Sequence, residues 1–124
     1  MSRISEEEKR SLKVSLNLSW ANLIERYEKA AIFFSMLGLL PCGIYNDELE
    51  WIWGSGWEKL ASQLIKSSLL IQSKRQNKTH YCLYHFIVKF AETKLDQKHY
   101  RVYHLNILTL LLKKLHTFYI SIGT

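Results

Sequence analysis

NDELEWIWGSGWEKLASQLIKSSLLIQSKRQNKTHYCLY, residues 46–84, changes pattern three times, and those changes decide the fold. Asn46 or Asp47 stands where a short polar side chain caps a helix, and Leu49, Trp51, Ile52 and Trp53 give that helix its apolar residues. Gly54-Ser55-Gly56 breaks it, with Ser55 placed to cap a second helix from Trp57 to about Ser67. In that helix Trp57, Leu60, Ala61, Leu64 and Ile65 recur at helical spacing, the stripe of one buried face. The period then drops towards two. Leu69–Gln72 and Thr79–Tyr84 are β-prone runs on either side of the polar segment Ser73–Lys78, a pattern that predicts a β-hairpin.

Two short helices across a glycine-bearing turn make a helix-turn-helix, and a hairpin directly after them is the element order of a winged helix. Upstream, Ser5 followed by Glu6, Glu7 and Glu8 marks a helix start, and Leu12, Val14, Leu16, Leu18 and Trp20 mix helical with alternating spacing. From Leu23 to Leu37, the residues Leu23, Tyr27, Ala30, Ala31, Phe34 and Leu37 predict one core helix. Gly38 is expected to end it with a positive φ, and Leu39-Leu40-Pro41 to run on extended. Downstream, a helix is predicted from His85 to Leu95 with Phe86, Ile87, Phe90 and Ala91 on one face, and Asp96 allows a break or a cap. The last helix, Gln97 to Ile120, carries one stripe of Tyr100, Tyr103, Ile107, Leu110, Leu111, Leu115 and Phe118. Leu105, Leu108, Leu112 and Tyr119 form a second beside it. So broad a face needs more than one neighbour, so a further helix or self-association is expected to cover residues 100–119. The fold class is therefore mostly α with a small β-hairpin: a winged helix-turn-helix preceded by one helix and followed by a long C-terminal helix. The predicted segments are a leading helix over 1–22, a winged-helix domain over 23–95, and a helix over 96–124 that begins a repeat or packing region, with Leu60, Leu64, Phe34 and Phe90 sharing a core.

The totals bound what such a chain does. Its 124 residues hold one domain, or one domain with a short appended element. Four Trp, seven Tyr and five Phe supply large core side chains, while five Gly and one Pro are too few for an all-β sandwich. A net charge of +6 raises nucleic acid or an acidic surface as partners, against the plainer reading that basic residues solvate the outer faces. Cys42 and Cys82 sit among apolar neighbours without CxxC spacing, and His80, His99, His104 and His116 lack metal-ligand spacing, so buried free thiols and no metal site are expected. The uncharged stretch from Ala30 to Asn46 is interrupted by Gly38, Pro41 and Gly43, which argues against a membrane span. No signal peptide precedes the sequon Asn77-Lys78-Thr79, and a cytoplasmic location is expected.

Four runs in order are similar to the winged-helix segment of the NB-ARC (AP-ATPase) signalling ATPases of the STAND class. Leu16-Asn17-Leu18-Ser19-Trp20 resembles their LxLSY helix, and the segment from Ala30 to Pro41 resembles RLFxxLGLFP. The segment from Trp57 to Leu70 resembles LxxLVxxSLL, and that from Tyr81 to Ala91 resembles YRLHPLVREFA. The run from Tyr100 to Leu105 further looks like the HARYYL helix that opens a superhelical repeat region. The resemblance implies a non-catalytic regulatory module that closes over an upstream nucleotide-binding domain holding ADP or ATP and controls opening and oligomerisation. The implied partners are that domain and the helical repeats of the same parent protein, with no cofactor in this chain. The pattern also departs from the family. No GxxxxGK[ST] phosphate loop occurs, and the nucleotide-contacting histidine that follows Leu in LH[DP] is replaced by Tyr84, with His85 one place later. Tyr84 and His85 are the nucleotide-sensing candidates.

The rival reading is a DNA-binding winged helix using the second helix of the helix-turn-helix and a basic wing. That helix offers Lys59 and Lys66, with Glu58, Ser62 and Gln63, and the wing offers Lys74, Arg75 and Lys78. Wing contacts to phosphate alone carry no sequence information. A third class uses Trp51, Trp53 and Trp57 as partner anchors, against plain core packing. Glu48, Glu50 and Glu58 read as surface carboxylates, and no activated nucleophile is marked, so no catalytic residue is expected.

Overall fold

The computed structural model describes residues 5–123, among which six helices enclose a three-stranded antiparallel sheet. Helix α1, Glu6–Arg26, starts as its sequence demands: the Ser5 hydroxyl accepts from Glu8 N at 3.1 Å, and three glutamates occupy the positive end of the dipole. Leu16, Trp20 and Leu23 turn inward, while Val14 and Leu18 face solvent, which accounts for the mixed spacing.

The predicted helix from Leu23 to Leu37 is two pieces. Leu23 closes the inner face of α1, the backbone breaks at Tyr27 (φ −139°, ψ 67°), and α2 runs Glu28–Leu37. The reason is packing. The Trp20 and Phe34 rings meet at a tilt with centroids 6.1 Å apart, whereas fourteen residues of unbroken helix would hold them about 21 Å apart. Beyond the exposed Glu28 and Lys29, helix α2 packs on every side, with Ser35 satisfied by donating to the Ala31 carbonyl at 2.8 Å.

Gly38 is not in the left-handed region: its φ is −63° and ψ −21°. Its lack of a side chain serves a close approach instead. A Cβ there would stand 2.8 Å from Glu92 Cα and 2.9 Å from the Ala91 carbonyl carbon. Leu39-Leu40-Pro41 does not extend either; Gly43 N donates to the Leu40 carbonyl at 2.9 Å, closing a turn with Pro41 in its second position and Gly43 at φ +82°. That turn delivers an unforeseen strand, β1, Ile44–Tyr45, which pairs antiparallel with Tyr81 and His80.

Helix α3, Asn46–Ile52, is capped from within: the Glu48 carboxylate accepts from Tyr45 N at 3.1 Å, so the cap position is Tyr45 and not Asn46 or Asp47. Helix α4, Trp57–Lys66, starts from Gly56 at φ +93° and takes no cap from Ser55. Strands β2, Leu70–Arg75, and β3, Lys78–Leu83, join through Gln76 and Asn77, both at positive φ, the requirement of a two-residue type I′ turn. The turn is shorter than the polar run suggested because Ser73, Lys74 and Arg75 form the outer end of a strand.

Helix α5, His85–Thr93, buries Ile87 and Ala91, but Phe86 points outward, 51% exposed, and Phe90 is half-buried with its ring 6.5 Å from Phe34. Phe34, Leu60 and Leu64 share the core as expected. Asp96 caps α6, Gln97–Gly123, by accepting from His99 N at 2.8 Å. Three links dock α6 on α3 and its C-terminal edge: Tyr103 stacks on Trp53 at 5.4 Å, Asn106 Nδ2 donates to the Ile52 carbonyl at 3.1 Å, and Lys114 pairs with Glu48. The first predicted stripe therefore splits, with Tyr103, Ile107 and Leu110 packed and Leu111, Leu115 and Phe118 exposed.

The backbone neighbours of Gly38 cannot swing aside as a side chain can. Gly38→Ala is expected to destabilise the fold by about 1–3 kcal/mol, read as a lower urea midpoint with an unchanged slope; a neutral substitution would show that α2 and α5 separate freely.

Candidate functional site

Strand β3 ends at Leu83, which is buried, and the alternation of the pleat then turns Tyr84 outward. Tyr84 occupies the position before α5, in extended backbone, and His85 is the first helical residue. Both are exposed; the Tyr84 carbonyl accepts from Ile87 N at 2.8 Å, but neither side chain makes a hydrogen bond or ion pair among the described residues. The Tyr84 and Phe86 rings lie 5.8 Å apart. Phe86 also enters the wall of a cleft of about 470 Å³ between α1 and α5, where Leu12, Leu16 and Phe90 form the floor and Lys9, Lys13 and Lys89 the rim. Lys9 is held loosely by Glu6 at 3.4 Å, and the Lys13 and Lys89 ammonium groups have no ion-pair partner among the described residues. The corner is thus an exposed aromatic pair and a histidine beside a cationic rim. The sequence offered Tyr84 and His85 as candidates, but not the neighbouring Phe86, Lys13 and Lys89. Helical spacing had assigned Phe86 to the core, and α1 contributes from seventy residues away.

The basic residues proposed for nucleic acid divide. Lys59 and Lys66 lie exposed on α4, and Lys74 and Arg75 lie exposed on the hairpin with no ion-pair partner among the described residues. Lys78 is engaged: its ammonium donates to Asp47 at 3.0 Å and lies 5.8 Å from the centre of the Tyr45 ring, tying the hairpin to the start of α3. The hydrogen bond from Lys78 holds the Asp47 carboxyl below the usual carboxylate range, and the same bond raises Lys78 above the usual lysine value.

Several side chains have other work than their sequence suggested. Glu48 is no surface carboxylate: it is nearly buried, caps α3 and takes the Lys114 ion pair. Glu50 accepts from Trp57 Nε1 at 2.7 Å. Trp57 is buried and Trp53 is packed between Phe33 and Tyr103, which leaves Trp51 as the exposed member of the three. The thiols are free but not both buried: Cys42 is exposed in the turn before β1, and Cys82 is half-buried. His80, by contrast, is buried; its Nε2–H donates to the Cys42 carbonyl at 3.0 Å, and its Nδ1 has no partner among the described residues. A Cβ on Gly43 would meet that ring, so the Gly43 turn and His80 are one fitted unit.

Among the described residues no three His, Cys, Asp or Glu side chains converge as metal ligands do, and no helix is long and apolar enough to cross a membrane. Comparison with family models, curated proteins and solved structures gives no match.

The Asp47–Lys78 link sets a pH dependence. Asp47 is depressed in the folded state, so its contribution is complete at neutral pH and is lost as pH falls through its lowered pKa. Lys78 is raised, so its contribution holds below the ordinary lysine pKa and disappears as pH rises through the higher one. Asp47→Asn should flatten the acid limb of stability measured by urea unfolding from neutral to acidic pH. An identical acid limb in both proteins would mean the link is not made in solution.

Proposed function

We propose that this chain is a non-catalytic regulatory module of winged-helix type in a cytoplasmic signalling ATPase, which packs on a nucleotide-binding domain and governs its opening. The observation that carries the reading is the corner at the β3–α5 junction. Tyr84 and His85 are presented outward at a helix N-terminus without polar partners, next to Phe86 and the lysine rim of the α1–α5 cleft. A hydroxyl and an imidazole there are donors with unspent capacity, and the positive end of α5 with Lys13 and Lys89 favours an anionic partner such as a nucleotide phosphate. The element order supports the same reading. Helix, short strand, two helices and hairpin follow in sequence, with the first strand laid against the second strand of the hairpin. ADP or ATP belongs to the partner domain in this scheme, since the chain carries no phosphate loop.

Tyr84 makes a weaker clasp than a histidine. A phenol donates to an anionic phosphate as a neutral group, so it lacks the opposite-charge attraction that a protonated imidazole adds to the same hydrogen bond.

Calorimetry tests the reading. ADP titrated into the chain alone should give no heat. A STAND-class nucleotide-binding domain loaded with ADP should bind the chain, and Tyr84→Ala with His85→Ala should weaken that complex at least tenfold. If His85→Ala alone has the full effect and Tyr84→Phe none, His85 is the sensing residue. Tight sequence-specific duplex binding that falls in the Lys74→Ala, Arg75→Ala, Lys78→Ala variant, with a shallower salt dependence, would replace this function with gene control.

A further inference from the structure

Helix α6 docks on the body through the side opposite its longest apolar seam. Labelled as heptads from Leu105, its contacts with the body are Tyr103, Asn106, Ile107, Leu110 and Lys114, all at b, c or f positions, the side that coiled coils give to water. The a and d positions are Leu105, Leu108, Leu112, Leu115, Tyr119 and Ile122, an unbroken alternation of three and four residues. Those six are 44–73% exposed and point away from the body. The seam runs about 26 Å along the helix. It carries no charge, and the flanking g positions Leu111 and Phe118 widen it. Together these side chains offer on the order of 800 Å² of apolar surface, about what one partner buries in a stable interface.

We propose that this seam is a homodimer interface in which α6 of a second copy packs antiparallel on α6, related by a twofold axis near residues 113–114. The occupant follows from the area and the absence of charge: the seam from Leu105 to Ile122 holds no charged side chain, and its exposed apolar surface is what one partner of a stable dimer buries, so an identical seam covers it fully. Direction follows from the next heptad towards the N-terminus. Lys98 and Arg101 continue the a and d positions, so a parallel pair would set Lys98 on Lys98 and Arg101 on Arg101. An antiparallel pair sends them to opposite ends and layers Leu112 on the partner's Leu115, Leu108 on its Tyr119 and Leu105 on its Ile122. Because the body sits on the opposite side of α6, two copies approach without collision. The pairing is isologous and closed, so it ends at two chains. It stands on α6 alone and does not depend on the Tyr84–His85 corner.

Analytical ultracentrifugation of the whole chain tests it. The expected species has twice the chain mass of 14.7 kDa. Leu112→Lys with Leu115→Lys should give a monomer with unchanged helix content, because both side chains face solvent in the single chain; its unfolding midpoint should no longer rise with protein concentration as the wild type's does, and the association constant should fall at least a hundredfold. The paired control Val14→Lys with Leu18→Lys, on the exposed side of α1, should stay dimeric. Spin labels at Lys98→Cys, in a Cys42→Ser, Cys82→Ser background, should report about 45–50 Å in the antiparallel dimer against about 10 Å in a parallel one. A wild-type monomer at its highest soluble concentration overturns the proposal. So does a dimer that survives the double lysine variant, or a label distance near the parallel value.

Discussion

Helix α2 buries apolar side chains on every side, and each other part of the molecule is placed by the need to cover it. α1 supplies Trp20 against Phe34, α5 supplies Phe90 against the same ring, α4 supplies Leu60 and Leu64, and Trp53 at the end of α3 meets Phe33 edge-on. The tightest constraint lies at its C-terminal end, where Gly38 lets the α5 backbone come within a distance that any side chain would prevent. That contact holds α5 in place, and with it the direction in which Tyr84, His85 and Phe86 leave the body. The candidate corner is therefore a consequence of a glycine far from it in sequence.

The sheet is assembled by a different device. A two-residue strand has too few hydrogen bonds to be stable alone. β1 is held on both flanks: on one side by the turn at Pro41–Gly43, with His80 donating to the Cys42 carbonyl, and on the other by Glu48 capping the helix that follows it. Lys78 closes the arrangement by reaching from β3 to Asp47. Leaving His80 Nδ1 buried without a partner costs about 1–3 kcal/mol, and a ring that fills the space above Gly43 offsets it. Glu48 has two duties, since one oxygen caps α3 and the other meets Lys114 of α6. A carboxylate withdrawn from water in this way is tolerable because its charge is matched.

The surface divides accordingly. The β3–α5 corner is polar and aromatic with a cationic rim, suited to an anionic partner, whereas the outer side of α6 is apolar and uncharged. The two lie on elements that do not share a capping or ion-pair network, so what happens at one need not disturb the other.

Much was legible from residues alone, because it depends on local periodicity and local chemistry. The Ser5 cap with its glutamates, the stripe of α4, the hairpin and the Asp96 cap of α6 each rest on residues within a few positions of one another. Tyr84 and His85 became candidates through the resemblance of the segment from Tyr81 to Ala91 to a family motif, not through periodicity. What only the tertiary structure decided involves partners far apart in the chain. The break at Tyr27 exists because Trp20 must return to Phe34, and β1 exists because Tyr81 and His80 await it. Gly38 is a glycine because of Ala91 and Glu92, not because of its own φ. Phe86 faces outward because Ile87 and Ala91 take the inner face of α5, and Glu48 is buried because α6 brings a lysine to it. The apolar stripes of α6 were plain in sequence, but which stripe meets the body is set by the positions of Trp53, Ile52 and Glu48, and no periodicity records those.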